Sequence, residues 1–116
     1  MQISTLSKRA DFERDIPGQS MSTYFIAQIS IHDREGYRLY EEGFDEVFAR
    51  FQGKVLIVDD HPTVLEGEFR YSRIVVIKFP GETEARQWYE SAEYQTLARH
   101  RFQASKADTI FASGRE

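Results

Sequence analysis

With 116 residues, no cysteine and a formal net charge of −4 from 15 basic and 19 acidic side chains, the chain has room for one domain and carries neither a disulfide framework nor a thiolate site. The acidic balance repels a phosphate backbone, so nucleic acid is not an expected partner. No run approaches the roughly 20 apolar residues of a membrane span, and the N-terminus lacks the apolar core of a secretory signal. The expected setting is the cytoplasm, with no membrane partner.

Residues 1–20 crowd Lys8, Arg9, Asp11, Glu13, Arg14 and Asp15 around Ile3, Leu6, Phe12 and Ile16, and Pro17-Gly18 punctuates them. They read as an N-terminal extension, either partly ordered or a short helix docking through Leu6 and Phe12. Met21-Ser22-Thr23 directly precedes a strand pattern. The domain proper is therefore expected over 21–116, the preceding residues being an addition or a misassigned start.

Thr23 to Ile31 alternates, with Phe25, Ala27, Ile29 and Ile31 on one face and Tyr24, Ile26, Gln28 and Ser30 on the other. Asp33 offers an N-cap to a helix whose Tyr37, Tyr40, Phe44, Val47, Phe48 and Phe51 recur at three- and four-residue steps, ending at Gly53. Gly36 and Gly43 lie inside it, either for close packing or at a kink. Lys54 to Asp59 reads as a second strand, which Thr63 to Gly67 either extends or pairs as a short edge. Arg73 to Phe79 reads as the third strand. Glu82 to Glu90 follows as a helix, Ser91 restarts it toward Ala104, and Thr109 to Ala112 closes the pattern as a fourth strand.

The order β-α-β-β-α-β predicts an α+β fold of ferredoxin-like type: an antiparallel four-stranded sheet with two helices on one face. Val55-Leu56-Ile57-Val58 and Ile74-Val75-Val76-Ile77 are apolar at every position, which predicts burial on both faces of the sheet. The helices cover one face, and the simplest cover for the other is the sheet of a second copy. A C2 homodimer through the sheet face, closing a dimeric α+β barrel, is expected on that ground alone.

The segment Trp88-Tyr89-Glu90-Ser91-Ala92-Glu93-Tyr94, with Asp33, Tyr37, Tyr40, Leu65-Glu66-Gly67, Phe79-Pro80 and Gly114, resembles the DUF1330 family over about Tyr24 to Gly114. The resemblance implies a dimeric α+β barrel and leaves the reaction open. Where relatives carry an arginine-glycine pair after the second strand this chain has Asp59-Asp60, so no anion site is implied at that loop.

Gly-x-Ser-x-Gly, the phosphate-binding glycine loop, His-Glu-x-x-His and the calcium loop are all missing. No cofactor and no metal site is expected; Asp59-Asp60-His61-Pro62 reads as a surface turn, since adjacent residues of an extended loop point apart. His32, where the first strand meets the first helix, is a candidate general base at neutral pH or else an exposed strand-end residue. Tyr37, Tyr40, Trp88 and Tyr94 read as core aromatics with polar tips. The alternative to this default is the lining of an aromatic pocket to which Ser91 adds a hydroxyl. Arg101, with Arg99, brings positive charge to a carboxylate ligand or compensates the helix dipole.

Two functional readings therefore stay open, with His32 and Tyr40 as candidate catalytic residues and Tyr37, Trp88, Ser91, Tyr94 and Arg101 as candidate ligand contacts. One is a small-molecule-binding protein or cofactor-free enzyme acting on a small aromatic or keto/enol compound. The other is a non-catalytic dimeric module. RNA recognition is disfavoured, because Arg73 to Phe79 lacks the basic Gly-aromatic pattern of such sheets.

Overall fold

A computed structural model describes residues 21–115. The expected docking of Leu6 and Phe12 falls outside the described residues. Strand β1 (Thr23–Ile31) buries Thr23, Phe25, Ala27 and Ile29 and leaves the residues between them partly open, the period-2 signature of a sheet with unlike faces. It lies at the centre of the sheet, antiparallel to β3 (Arg73–Phe79) on one side and to β4 (Ser105–Ser113) on the other. Strand β2 (Lys54–Asp59) adds outside β3, so the sheet order is β2-β3-β1-β4.

Three strands have the bounds that alternation predicts, and β4 is longer than expected. Its first residues, Ser105 to Asp108, are largely polar and carry no apolar alternation, yet they pair in register with Ile31 to Gln28. Residues 63–67 form no strand. They belong to an exposed loop between β2 and β3 in which Gly67 takes a φ of +80° and Leu65 is 90% exposed.

Helix α1 (Arg34–Phe48) starts as expected, with Asp33 Oδ1 accepting from the Gly36 amide at 3.1 Å. It ends five residues before Gly53, and Phe51 lies in the turn beyond it, where its amide bonds the Phe48 carbonyl at 3.0 Å. A methyl on Gly43 would stand 2.6 Å from Leu97 Cδ1, so this glycine lets α1 approach the last helix closely.

The second helical stretch is α2 (Glu82–Tyr89) followed by α3 (Ala92–Ala104). Ser91 makes the break and the restart: its Oγ donates to the Trp88 carbonyl at 2.8 Å and accepts from the Tyr94 amide at 3.0 Å. The second helical layer of the ferredoxin-like frame is thus split at Ser91, as the restart read from the sequence requires. Beneath them Trp88, fully buried, meets Tyr94 at 4.3 Å, Phe25 edge-on at 5.1 Å and Phe79 stacked at 5.4 Å between ring centroids. This cluster is the centre of the core.

The strand register also orders the face away from the helices. Ile57, Val76, Ile26 and Ile110 stand opposite one another across all four strands and form one apolar row. Asp59, Ile74, Gln28 and Asp108 make a more polar row beside it. Within a single chain the expected two-sided burial does not hold for β2, whose six residues are all exposed, Val58 to 56%. The reason is position: β2 is an edge strand, and α1 leans on α3 rather than reaching over it. No helix of the described residues is long and apolar enough to cross a membrane.

Candidate functional site

Because α1 packs on α3 and stands off the sheet, a cleft of about 290 Å³ opens between α1 and the helix-facing side of β1, β2 and β3. Its roof is one stripe of α1, Tyr37, Tyr40, Glu41, Phe44 and Asp45, spaced as a helix spaces residues on a single face. The floor is Phe25, Ala27 and Ile29 from β1, Val75 and Ile77 from β3, and Val55 and Val58 from β2. Ala27 is the small residue in that floor. A methyl there, where its neighbours in β1 are Phe25 and Ile29, leaves room for a ligand body.

At the closed end sits Arg101, only 4% exposed. No carboxylate among the described residues pairs with it. Its Nη2 donates to the Tyr94 hydroxyl in a long contact of 3.5 Å, and its guanidinium lies 5.7 Å from the centre of the Tyr40 ring. The Tyr94 and Tyr40 hydroxyls are 2.8 Å apart and buried. Arginine donates and never accepts, so it takes one lone pair of Tyr94, and either phenol can be the donor of the bond between them.

Burial pushes the Tyr40 phenol well above its usual pKa, and the adjoining Tyr94 adds to the rise. Tyr94 is raised by burial against the opposing pull of Arg101, and Tyr37 by burial against that of Arg73. All three are therefore protonated donors at neutral pH rather than bases. In each case the folded-state pKa lies above the unfolded value of 10.0, so the associated stability is complete below that pH. It is lost as pH rises through the folded-state values, because the unfolded chain gives up its protons first. Urea unfolding between pH 8 and 11.5 is expected to show a decline beginning near pH 10, with a slope of about 1.4 kcal/mol per pH unit for each phenol still protonated. Tyr40→Phe should reduce that slope; a flat profile to pH 11.5 would contradict the burial of these hydroxyls.

The mouth is closed differently. Arg73 gives Nε and Nη2 to the two carboxylate oxygens of Asp60 at 2.5 and 3.1 Å, and Nη1 to Glu41 at 2.6 Å, while its guanidinium lies 5.4 Å from the centre of the Tyr37 ring. The Arg73 hydrogen bonds hold the Asp60 carboxyl below the usual range, and Asp60 in turn raises Arg73. Sequence reasoning passed over this group. The available signal was an arginine opening a strand whose next four residues are apolar, in register with the buried Ile29. Asp59, by contrast, makes a turn by accepting from the His61 amide at 2.8 Å, so the two aspartates diverge. Among the described residues no group of three or more His, Asp or Glu is placed to hold a metal.

Of the expected site residues, the structure brings Tyr37, Tyr40 and Arg101 into the cleft wall, with Tyr94 directly behind Tyr40. Trp88 and Ser91 are not part of the wall. Trp88 is packed within the core, its Nε1 without a hydrogen-bond partner among the described residues, and Ser91 spends its hydroxyl on the helix break. His32 is exposed at the β1–α1 junction, its amide bonded to the Ala104 carbonyl at 3.0 Å, and does not line the cleft.

A four-stranded antiparallel sheet in the order β2-β3-β1-β4, with helices on one face and a cleft beneath the first of them, defines a ferredoxin-like α+β domain. The chain belongs to the DUF1330 family, a domain of unknown function, whose family model matches residues 22–115. A protein of unknown function from Rhodopseudomonas palustris has a similar structure at 16% identity and a TM-score of 0.68, with 98% of this chain and 96% of that one covered. The cofactor-independent oxygenase SnoaB from Streptomyces nogalater is similar at 15% identity and a TM-score of 0.58, covering 84% and 96%. A dimeric ferredoxin-like protein of unknown function from Thermobifida fusca is similar at 13% identity and a TM-score of 0.60, covering 82% and 92%. These likenesses show the fold. The curated proteins contain no match to the sequence.

Proposed function

We propose that this protein is a homodimeric small-molecule-binding protein whose cleft under α1 takes a small aromatic or keto/enol compound, and that it acts on that compound without a cofactor. The observation that carries the reading is the cleft itself: an apolar chamber whose closed end presents the Tyr40 hydroxyl, backed by Tyr94, and the buried Arg101 cation. Such an end suits an oxygen that gains negative charge. Donors already oriented and shielded from water stabilise an enolate more than the parent ketone, which is the differential binding that lowers a barrier. The phenols supply hydrogen bonds and Arg101 the charge. SnoaB, a cofactor-independent oxygenase of similar fold, lends this reading the weight of analogy and no more.

The dimer rests on the open face, where the row Ile57, Val76, Ile26 and Ile110 has no cover among the described residues. The dimeric description of the Thermobifida fusca neighbour supports the same reading. A second copy laid on that face would bury Ile57 of β2, while Val55 and Val58 face the cleft on the other side.

One observation favours the alternative of a dimeric module without turnover. Trp88 and Ser91, the most distinctive positions of the sequence, are engaged in packing and helix breaking rather than in the cleft. A thermal-shift screen of small aromatic and keto acids separates the readings. At least one such acid is expected to raise the melting temperature, with the response diminished in Tyr40→Phe and unchanged in His32→Ala. No response from any of them would favour the module.

A further inference from the structure

Four charged side chains line the cleft: Glu41, Asp45, Arg73 and Arg101. They divide by depth and by pairing. Arg73, at the mouth, has its three guanidinium nitrogens engaged, Nε and Nη2 by Asp60 and Nη1 by Glu41. Three of its five N–H donors are thereby spent on two carboxylates, which also answer its charge. Asp45 is exposed and has no ion-pair partner among the described residues, so the mouth as a whole is negative. Arg101, at the closed end, has no anionic partner among the described residues, and the hydroxyl of Tyr94 is a long contact at 3.5 Å. A buried cation answered only by neutral phenols is a site missing its counter-charge.

Resting on the reading that this cleft is the ligand site, we propose that it selects a monoanion. The ligand is a small acid with a single ionised oxygen centre, a carboxylate or an enolate, placed against Arg101 and Tyr40. Its apolar body lies along Ala27, Val75 and Ile77. One negative charge satisfies Arg101. A neutral analogue leaves the guanidinium unanswered, and a second negative charge on the far end of the ligand meets Asp45 and Glu41 at the mouth. Dicarboxylates with a charge at each end are therefore rejected, although a basic residue in a cleft would ordinarily suggest them. The arrangement also fixes direction, acid end inward.

Isothermal titration of the full chain at pH 7 with three probes sharing one body tests this: trans-cinnamate, cinnamyl alcohol and 4-carboxycinnamate. Cinnamate is expected to bind at least tenfold more tightly than either of the others. Arg101→Gln should bring cinnamate down to the level of the alcohol. Asp45→Asn, an exposed change that keeps the fold, should improve the diacid severalfold more than it improves cinnamate. If the alcohol or the diacid matches cinnamate in the wild-type chain, or if Asp45→Asn leaves the diacid unchanged, monoanion selection is overturned while the cleft survives as a ligand site. If none of the three binds, both the selection and the cleft reading fall.

Discussion

Trp88→Ala is expected to cost about 3–5 kcal/mol of folding stability, the range for deleting a large aromatic from a packed core. For a domain of this size that is a large share of the whole, since net stabilities run at about 5–15 kcal/mol. The indole is fully buried and lies within 6 Å of the rings of Phe25, Phe48, Phe79, Tyr89 and Tyr94, so neighbours from β1, α1, β3 and both later helices would lose contacts together. Trp88→Phe should lose much less. It keeps an aromatic ring in the cluster and gives up no hydrogen bond, because Nε1 has no partner among the described residues. Urea unfolding followed by circular dichroism, rather than by fluorescence of the single tryptophan, measures both. A cost below about 1 kcal/mol for Trp88→Ala would show that the core does not centre there.

The second large effect concerns assembly. Ile110→Asp sets a carboxylate into the apolar row of the open sheet face, opposite Ile26 in the strand register. Ile110 is 58% exposed in the single chain, so the substitution leaves the monomer fold intact. In the proposed dimer the same carboxylate is desolvated without a partner, a cost of about 3 kcal/mol or more, which weakens association at least about a hundredfold. Sedimentation at micromolar concentration should give twice 13.6 kDa for the wild type and a mass moving toward 13.6 kDa for the variant. A wild-type mass of a single chain would remove the dimer from the account.

Much of this architecture is legible in the sequence because its determinants are local. The alternation of Thr23 to Ile31, the Asp33 cap and the Ser91 restart are each decided by residues within a few positions of one another, and each occurs as read. β4 is half hidden because Ser105 to Asp108 are held by pairing with β1, a tertiary contact that overrides their weak alternation. The early end of α1 is hidden for a similar reason, since Phe51 continues the apolar period while belonging to the following turn.

The site divides along the same line. Tyr37 and Tyr40 announce themselves by helical spacing, but the pairing of Tyr40 with Tyr94 spans 54 residues and has no sequence signature. The character of Arg101 is equally non-local. On α3 alone it reads as a basic residue near a helix end; its burial comes from Tyr94 on its own helix and Tyr40 on α1. Arg73 and Asp60 are joined across the turn and loop that follow β2, which no short motif encodes. His32 misleads for the opposite reason. A strand-to-helix junction is a common place for a pocket mouth, but here the space opens further along α1, beneath Tyr40 and Phe44.

That a ligand binds under α1 is most directly tested by mapping where one binds. Addition of trans-cinnamate to isotope-labelled protein should shift amide and side-chain resonances of Ala27, Tyr40, Ile77 and Arg101, leaving the groove beside β4 at Arg86, Gln95 and Phe111 unperturbed. Shifts confined to that β4 groove, or none at saturating ligand, would contradict the account.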